Sequence, residues 1–145
     1  MGFNWFLPAL ALVFGVLVLA VCGRGSAQSG PNAPSEAADP SGSSKVIDVD
    51  TLHSELKQVA ILVDVRTAGE YGGGHVPGAV NIPLQELPKR LDELSAYRGS
   101  TPVYVICQSG GRSRSAASQL SAAGYDVVDV QGGTGAWKAR GYPFE

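Results

Sequence analysis

"PVYVICQSGGRSRSAASQLSAAGY", residues 102–125, is the stretch from which the fold is read. It opens as a short β-branched strand, Pro102–Cys107, and closes as an alanine-rich helical segment, Ser113–Ala123, with Gly124 placed to end it. Between them lies the loop Cys107-Gln108-Ser109-Gly110-Gly111-Arg112. Outward from here, "KVIDV" from Lys45, "AILVDV" (Ala60–Val65) and "DVVDV" (Asp126–Val130) read as further strands. Asp50–Lys57, with Asp50 as its cap, and Leu84–Leu94 read as helices. Strands apolar on both faces, alternating with helices, predict an α/β fold with a mostly parallel sheet covered on both sides. Such folds place their active sites at the carboxyl ends of strands, and Cys107 stands at one.

The loop has the chemistry of an anion cradle. Gly110 and Gly111 allow backbone curvature that residues with a Cβ resist. Successive N–H groups can then converge as a nest, and the following helix presents its positive end to the same place. Arg112 adds a permanent cation with planar donors. A thiol of ordinary pKa is only about 3% ionised at pH 7, whereas one lowered to roughly 6.5 is about three-quarters thiolate. The bland alternative is a core cysteine that happens to precede a turn. The paired glycines and Arg112 favour a reactive sulfur.

The chain divides into three zones. Residues 1–24 contain "FNWFLPALALVFGVLVLAVC" (Phe3–Cys22), uncharged over about the 20 residues needed to cross a bilayer. It is read as a membrane or export segment. Lipidation at Cys22 and cleavage after Ala27 both stay open. Residues 25–44 are rich in Ser, Gly, Ala and Pro and read as a disordered tether. Residues 45–145 are the folded domain. A tether behind an apolar segment suits an extracytoplasmic, periplasmic domain, while Arg24 argues for the cytoplasmic face of the membrane.

Charge and cysteine usage exclude several classes. Thirteen acidic against eleven basic side chains, with no basic cluster, offer no field for nucleic acid. Cys22 and Cys107 are the only cysteines, so there is neither a disulfide framework nor a CxxC site. Two isolated histidines, His53 and His75, make no metal site. The glycines around Thr134 lack the spacing of a dinucleotide fingerprint.

"LVDVRTAGEYGGGHVPGAVNIPL" (Leu62–Leu84), "CQSGGRS" (Cys107–Ser113) and "GGTGAWKARGYPFE" (Gly132–Glu145), in that order, resemble a single-domain rhodanese, or thiosulfate sulfurtransferase. The resemblance implies a rhodanese fold, with a five-stranded mostly parallel sheet flanked by helices, and a persulfide carried on Cys107. It also implies that Gln108, Ser109, Gly110, Gly111, Arg112 and Ser113 bind the substrate. Thiosulfate or a similar sulfane compound would be the donor and cyanide or a thiol the acceptor. The covalent persulfide would stand in place of a cofactor.

Two other readings keep the loop and change its task. One is a sulfur-binding or interaction module without turnover. The other is a cysteine phosphatase, against which stand Cys-x4-Arg in place of Cys-x5-Arg and Ile106 before the cysteine in place of histidine. His53 is expected on the surface, and His75 as a framework residue. Arg114 is either an attractor of the anionic donor or a solvated surface residue. Arg66 and Glu70 are expected to form a salt bridge, with Asp64 structural or near the site mouth. Thr134 is expected to cap a last helix whose Trp137 fills core.

Overall fold

The structure is a computed structural model that describes residues 44–145. The apolar run Phe3–Cys22, with its lipidation and cleavage readings, and the tether up to residue 43 lie outside the described residues. Among the described residues, no helix is long and apolar enough to cross a membrane.

Five strands form one sheet: β1 (Ser44–Ile47), β2 (Leu62–Asp64), β3 (Ala79–Asn81), β4 (Val103–Ile106) and β5 (Val127–Val130). Their order is β1-β5-β4-β2-β3. All four pairings are parallel, so "mostly parallel" sharpens to wholly parallel. Helices α1 (Val49–Glu55), α2 (Ala68–Gly72), α3 (Gly111–Ala122) and α4 (Gly133–Ala139) and short 3₁₀ turns make the connections.

The alternation of side chains along β4 and β5 sorts the core into two layers. Val103, Val105 and Val127 face α3, where Ala116, Ala117 and Leu120 pack on them. Ile106, Val128 and Val130 face the other way, with Leu52 of α1 and Trp137 of α4. Trp137 is fully buried, as expected, and its indole N–H donates to the carbonyl of Pro143 at 2.7 Å.

The element ends depart from expectation for local reasons. Ser44, assigned to the tether, already belongs to β1. Asp48, not Asp50, caps α1: its backbone is extended and its carboxylate accepts the N–H of Thr51 at 2.8 Å. This turn ends the first strand at Ile47. Asp50 instead accepts from the Tyr142 hydroxyl at 2.6 Å and pairs with Arg140. Leu84–Leu94 is two 3₁₀ pieces, Leu87–Lys89 and Leu91–Tyr97, with Pro88 in the first lacking an N–H to donate. Strand β3 has three residues, with Val80 exposed on the sheet edge, too short a run to stand out from residue pattern. Gly124 does follow the end of α3, with φ +83°.

The sheet order positions the site. The chain leaves β2 for its neighbour β3 on one side and leaves β4 for β5 on the other, though β2 and β4 adjoin. Their carboxyl ends therefore diverge into a crevice, the usual place for a ligand in an open parallel sheet. The Cys107 loop opens there, at the end of the middle strand.

Candidate active site

Cys107 follows β4 directly, and only 1% of it is exposed. The loop closes back on its sulfur: the Gly110 N–H donates to Sγ at 3.1 Å. Gly110 achieves this with φ +109°, a conformation that favours glycine. Helix α3 starts at Gly111, two residues before the expected Ser113. Arg112 and Ser113 therefore lie on its first turn, and the helix points its positive end at the sulfur. Burial pushes the Cys107 thiol up. The N–H groups of Ser113, Gly110 and Ser109, with the Ser113 hydroxyl, outweigh this and hold the thiol below its ordinary value. An inert core cysteine has no such ring of donors.

The predicted loop residues take different parts. Ser109, Gly110 and Ser113 direct donors at the sulfur. Ser113 is fully buried, and its hydroxyl donates to the Gly110 carbonyl at 3.2 Å, fastening the loop to the helix. Gly111 is exposed as the first helical residue. The Gln108 side chain turns toward α4, where Thr134 donates its hydroxyl to Oε1 at 3.0 Å. Arg112 is not a free cation. Its Nη1 and Nη2 each donate to a Glu70 oxygen at 2.7 Å. Arg114 is exposed.

The expected Arg66–Glu70 bridge is replaced by two pairs. Arg66 is 2% exposed and pairs with fully buried Asp64, Nη2 to Oδ2 at 2.6 Å. A buried guanidinium needs its countercharge adjacent, and Asp64 lies two residues away on the strand end. Arg66 also donates to the Gly74 carbonyl at 2.8 Å, so it clamps β2 to the following glycine-rich turn. Asp64 is thereby held in a structural ion pair, at a strand end that adjoins Ile106 and acts electrostatically on Arg112. Glu70, freed of Arg66, reaches outward from α2 to Arg112. The reciprocal hydrogen bonds of a capping box with Thr67 orient it, a role that the Thr67-x-x-Glu70 spacing could have signalled.

The second support of the loop also departs from expectation. Thr134 does not cap α4; Gly132 does. Thr134 lies inside the first turn, buried, and its N–H donates to the Cys107 carbonyl at 2.8 Å. The Gly135 N–H donates to the Gln108 carbonyl at 3.0 Å. Gly133 lets α4 approach this closely: a Cβ there would stand 2.2 Å from the Cys107 carbonyl oxygen. The histidines stay outside the site. His53 is exposed and stacks on Tyr142 at 3.9 Å. His75 stacks on Tyr71 at 3.8 Å, a framework position as expected. Among the described residues no cluster of three or more His, Cys, Asp or Glu is placed to hold a metal ion.

A parallel α/β sheet, a single thiol at its switch point and a ring of donors closing on that sulfur define an α/β domain with a cysteine-centred candidate site. Comparison with known proteins gives it a family. The model of the rhodanese-like domain matches residues 48–140, and the chain belongs to that family. It is 36% identical over 107 residues to thiosulfate sulfurtransferase 16, chloroplastic, of Arabidopsis thaliana, covering 67% of this chain and 89% of that one. It is 35% identical over 100 residues to a sulfurtransferase of Allochromatium vinosum, covering 67% and 91%. Among solved structures, a rhodanese-related protein from Thermoplasma volcanium superposes with a TM-score of 0.64 at 33% identity, covering 70% of this chain and 97% of that chain.

Proposed function

We propose that this domain is a sulfurtransferase that carries sulfane sulfur as a persulfide on Cys107. The observation that bears most weight is the Gly110 N–H donating to Sγ at 3.1 Å, within a loop that lowers the thiol pKa despite burial. The Cys107 thiolate attacks the outer sulfur of thiosulfate or a similar donor. The S–S bond of the donor breaks, and its electron pair leaves with sulfite. The new Cys–S–S⁻ carries one negative charge, and the N–H groups of Ser109, Gly110 and Ser113 stabilise it. Cyanide or a thiol then takes the outer sulfur and restores the thiolate. No general base is needed for the thiolate form, whose share the donor ring raises by lowering the thiol pKa. The carrier is the covalent persulfide rather than a dissociable cofactor.

The 1% exposure of Cys107 favours a second reading, a domain that holds sulfur without turning it over. Incubation with thiosulfate and weighing of the intact chain tests both. An adduct of one sulfur atom that cyanide removes repeatedly identifies a transferase. An adduct that cyanide cannot discharge identifies a carrier, and no adduct with any sulfane donor rejects both.

Loading has a defined pH dependence. The folded pKa of Cys107 lies below the ordinary thiol value, so the reactive form is present above the folded pKa and is lost as pH falls through it. The rate of adduct formation is expected to rise to a plateau with its midpoint below that of a free cysteine thiol titrated under the same conditions. A stopped-flow profile with a midpoint at or above that value would contradict it.

The N-terminal zone completes the proposal. Residues 1–24 anchor the chain in a membrane or direct its export, and 25–43 carry the domain on the extracytoplasmic side. Protease added to intact spheroplasts is expected to digest the domain; protection would place it on the cytoplasmic face.

A further inference from the structure

Arg112 is on the first turn of α3, beside the loop that encloses Cys107, and Cys107 is among the charges that act on it. Both terminal nitrogens of its guanidinium are occupied by Glu70, at 2.7 Å each. Glu70 is itself held in place, since Oε2 accepts the N–H of Thr67 at 3.1 Å and its hydroxyl at 2.8 Å. The side chains are 33% and 36% exposed, so the pair borders on water at the surface of the domain.

A bidentate carboxylate takes up the planar fork that would otherwise grip an oxyanion, and it cancels the charge at short range. The site then offers its helix end and N–H ring without the net charge of Arg112, leaving exposed Arg114 as the other arginine of that first turn. A dianionic donor loses more by this than a monoanionic one, since Coulomb energy scales with the charge of the ligand.

We propose that Glu70 is a specificity-determining residue that acts through Arg112: by holding the guanidinium in a bidentate pair, it biases the site toward sulfane donors of low charge and against dianions. The inference rests on the sulfur-transfer reading above. Arg112 first, and then Thr67, hold the Glu70 carboxyl well below the usual carboxylate range, so the pair is intact wherever Cys107 is a thiolate.

The test compares two donors on the full chain, thiosulfate and methanethiosulfonate, in which a methyl group replaces one charged oxygen. Glu70→Gln keeps the shape of the side chain and removes its charge. Its KM for thiosulfate is expected to fall about tenfold and that for methanethiosulfonate about threefold, with kcat changed less than about twofold. Glu70→Asp, which retains the charge, is expected to keep the wild-type ratio of the two donors. A ratio unchanged in Glu70→Gln, or an equal loss of kcat on both donors, overturns the proposal and leaves Glu70 a loop support. Should Glu70→Gln not fold, the wild-type salt response decides. A thiosulfate KM flat within about twofold between 20 and 300 mM salt supports a neutralised Arg112, and a rise above about fivefold overturns it. Wild type that accepts sulfur from neither donor overturns the sulfur-transfer reading itself, an outcome distinct from an unchanged ratio.

Discussion

Cys107→Ser is expected to abolish sulfur loading while leaving the domain folded. The serine hydroxyl is nearly isosteric with the thiol, and the Gly110 N–H, 3.1 Å from Sγ, remains as its partner. The buried oxygen is thus satisfied, and the stability cost should stay near about 1 kcal/mol. The chemistry does not survive. A hydroxyl stays un-ionised at neutral pH, and no base is provided to activate it, because the loop works by lowering a thiol pKa. Transfer from thiosulfate to cyanide should drop by at least about a thousandfold. The intact-mass spectrum should show no added sulfur under conditions that load wild type. Cys22 is the other cysteine of the full chain. If the adduct persists, the sulfur resides on Cys22 and the proposed site is wrong.

Gly133→Ala is expected to be the most damaging single-methyl change near the site. Gly133 has φ +59°, which costs a residue with a Cβ about 1 kcal/mol or more. The new methyl would also lie 2.2 Å from the Cys107 carbonyl oxygen and 2.6 Å from the carbonyl carbon of Gln108. Both are backbone atoms, which cannot swing aside as a side-chain end can. Relief requires α4 to withdraw, which would break the bonds from the N–H groups of Thr134 and Gly135 to the Cys107 and Gln108 carbonyls. We expect a loss of about 3–5 kcal/mol, or a fall in Tm on the order of 15–20 °C. In whatever fraction folds, the thiol pKa should be closer to its free value. Gly141→Ala provides the comparison. Its φ is +69° and nothing lies within 4 Å of the added methyl, so it should lose only about 1 kcal/mol. Equal losses in the two variants would show that the contact with the Cys107 loop is immaterial.

Residue pattern conveys the middle of this fold well and its margins poorly. β4, the turn and α3 are legible because a β-branched run, paired glycines and an alanine-rich stretch follow one another with no competing local preference. β3 is invisible by pattern: three residues on a sheet edge, one of them exposed, leave almost no apolar periodicity to read. Its presence was implied only through the family resemblance. The start of α1 is displaced from Asp50 to Asp48 because two aspartates stand within reach of the same helix end. Which one caps it depends on where the strand stops, and Asp50 is engaged by Tyr142 and Arg140, about ninety residues on in the chain.

The same division runs through the site. Cys107, its glycines and the helix behind them are consecutive residues, so their joint effect on the sulfur follows from local backbone geometry and was readable from the chain. The pairing of charges was not. Arg66 has Asp64 two residues away and Glu70 four away, and spacing alone offers both as partners. Burial decides between them, because a guanidinium 2% exposed requires the carboxylate buried with it. Glu70 is then released to Arg112, 42 residues distant, and the arginine at the rim becomes half of a neutral pair. Thr134 likewise has the character of a helix cap, but α4 docks it on the Cys107–Gln108 backbone. The sequence by itself determined the candidate sulfur and its cradle, because the cradle is a local object. Only the tertiary structure decided how much charge surrounds it, because ion pairs are chosen by which side chains are buried together.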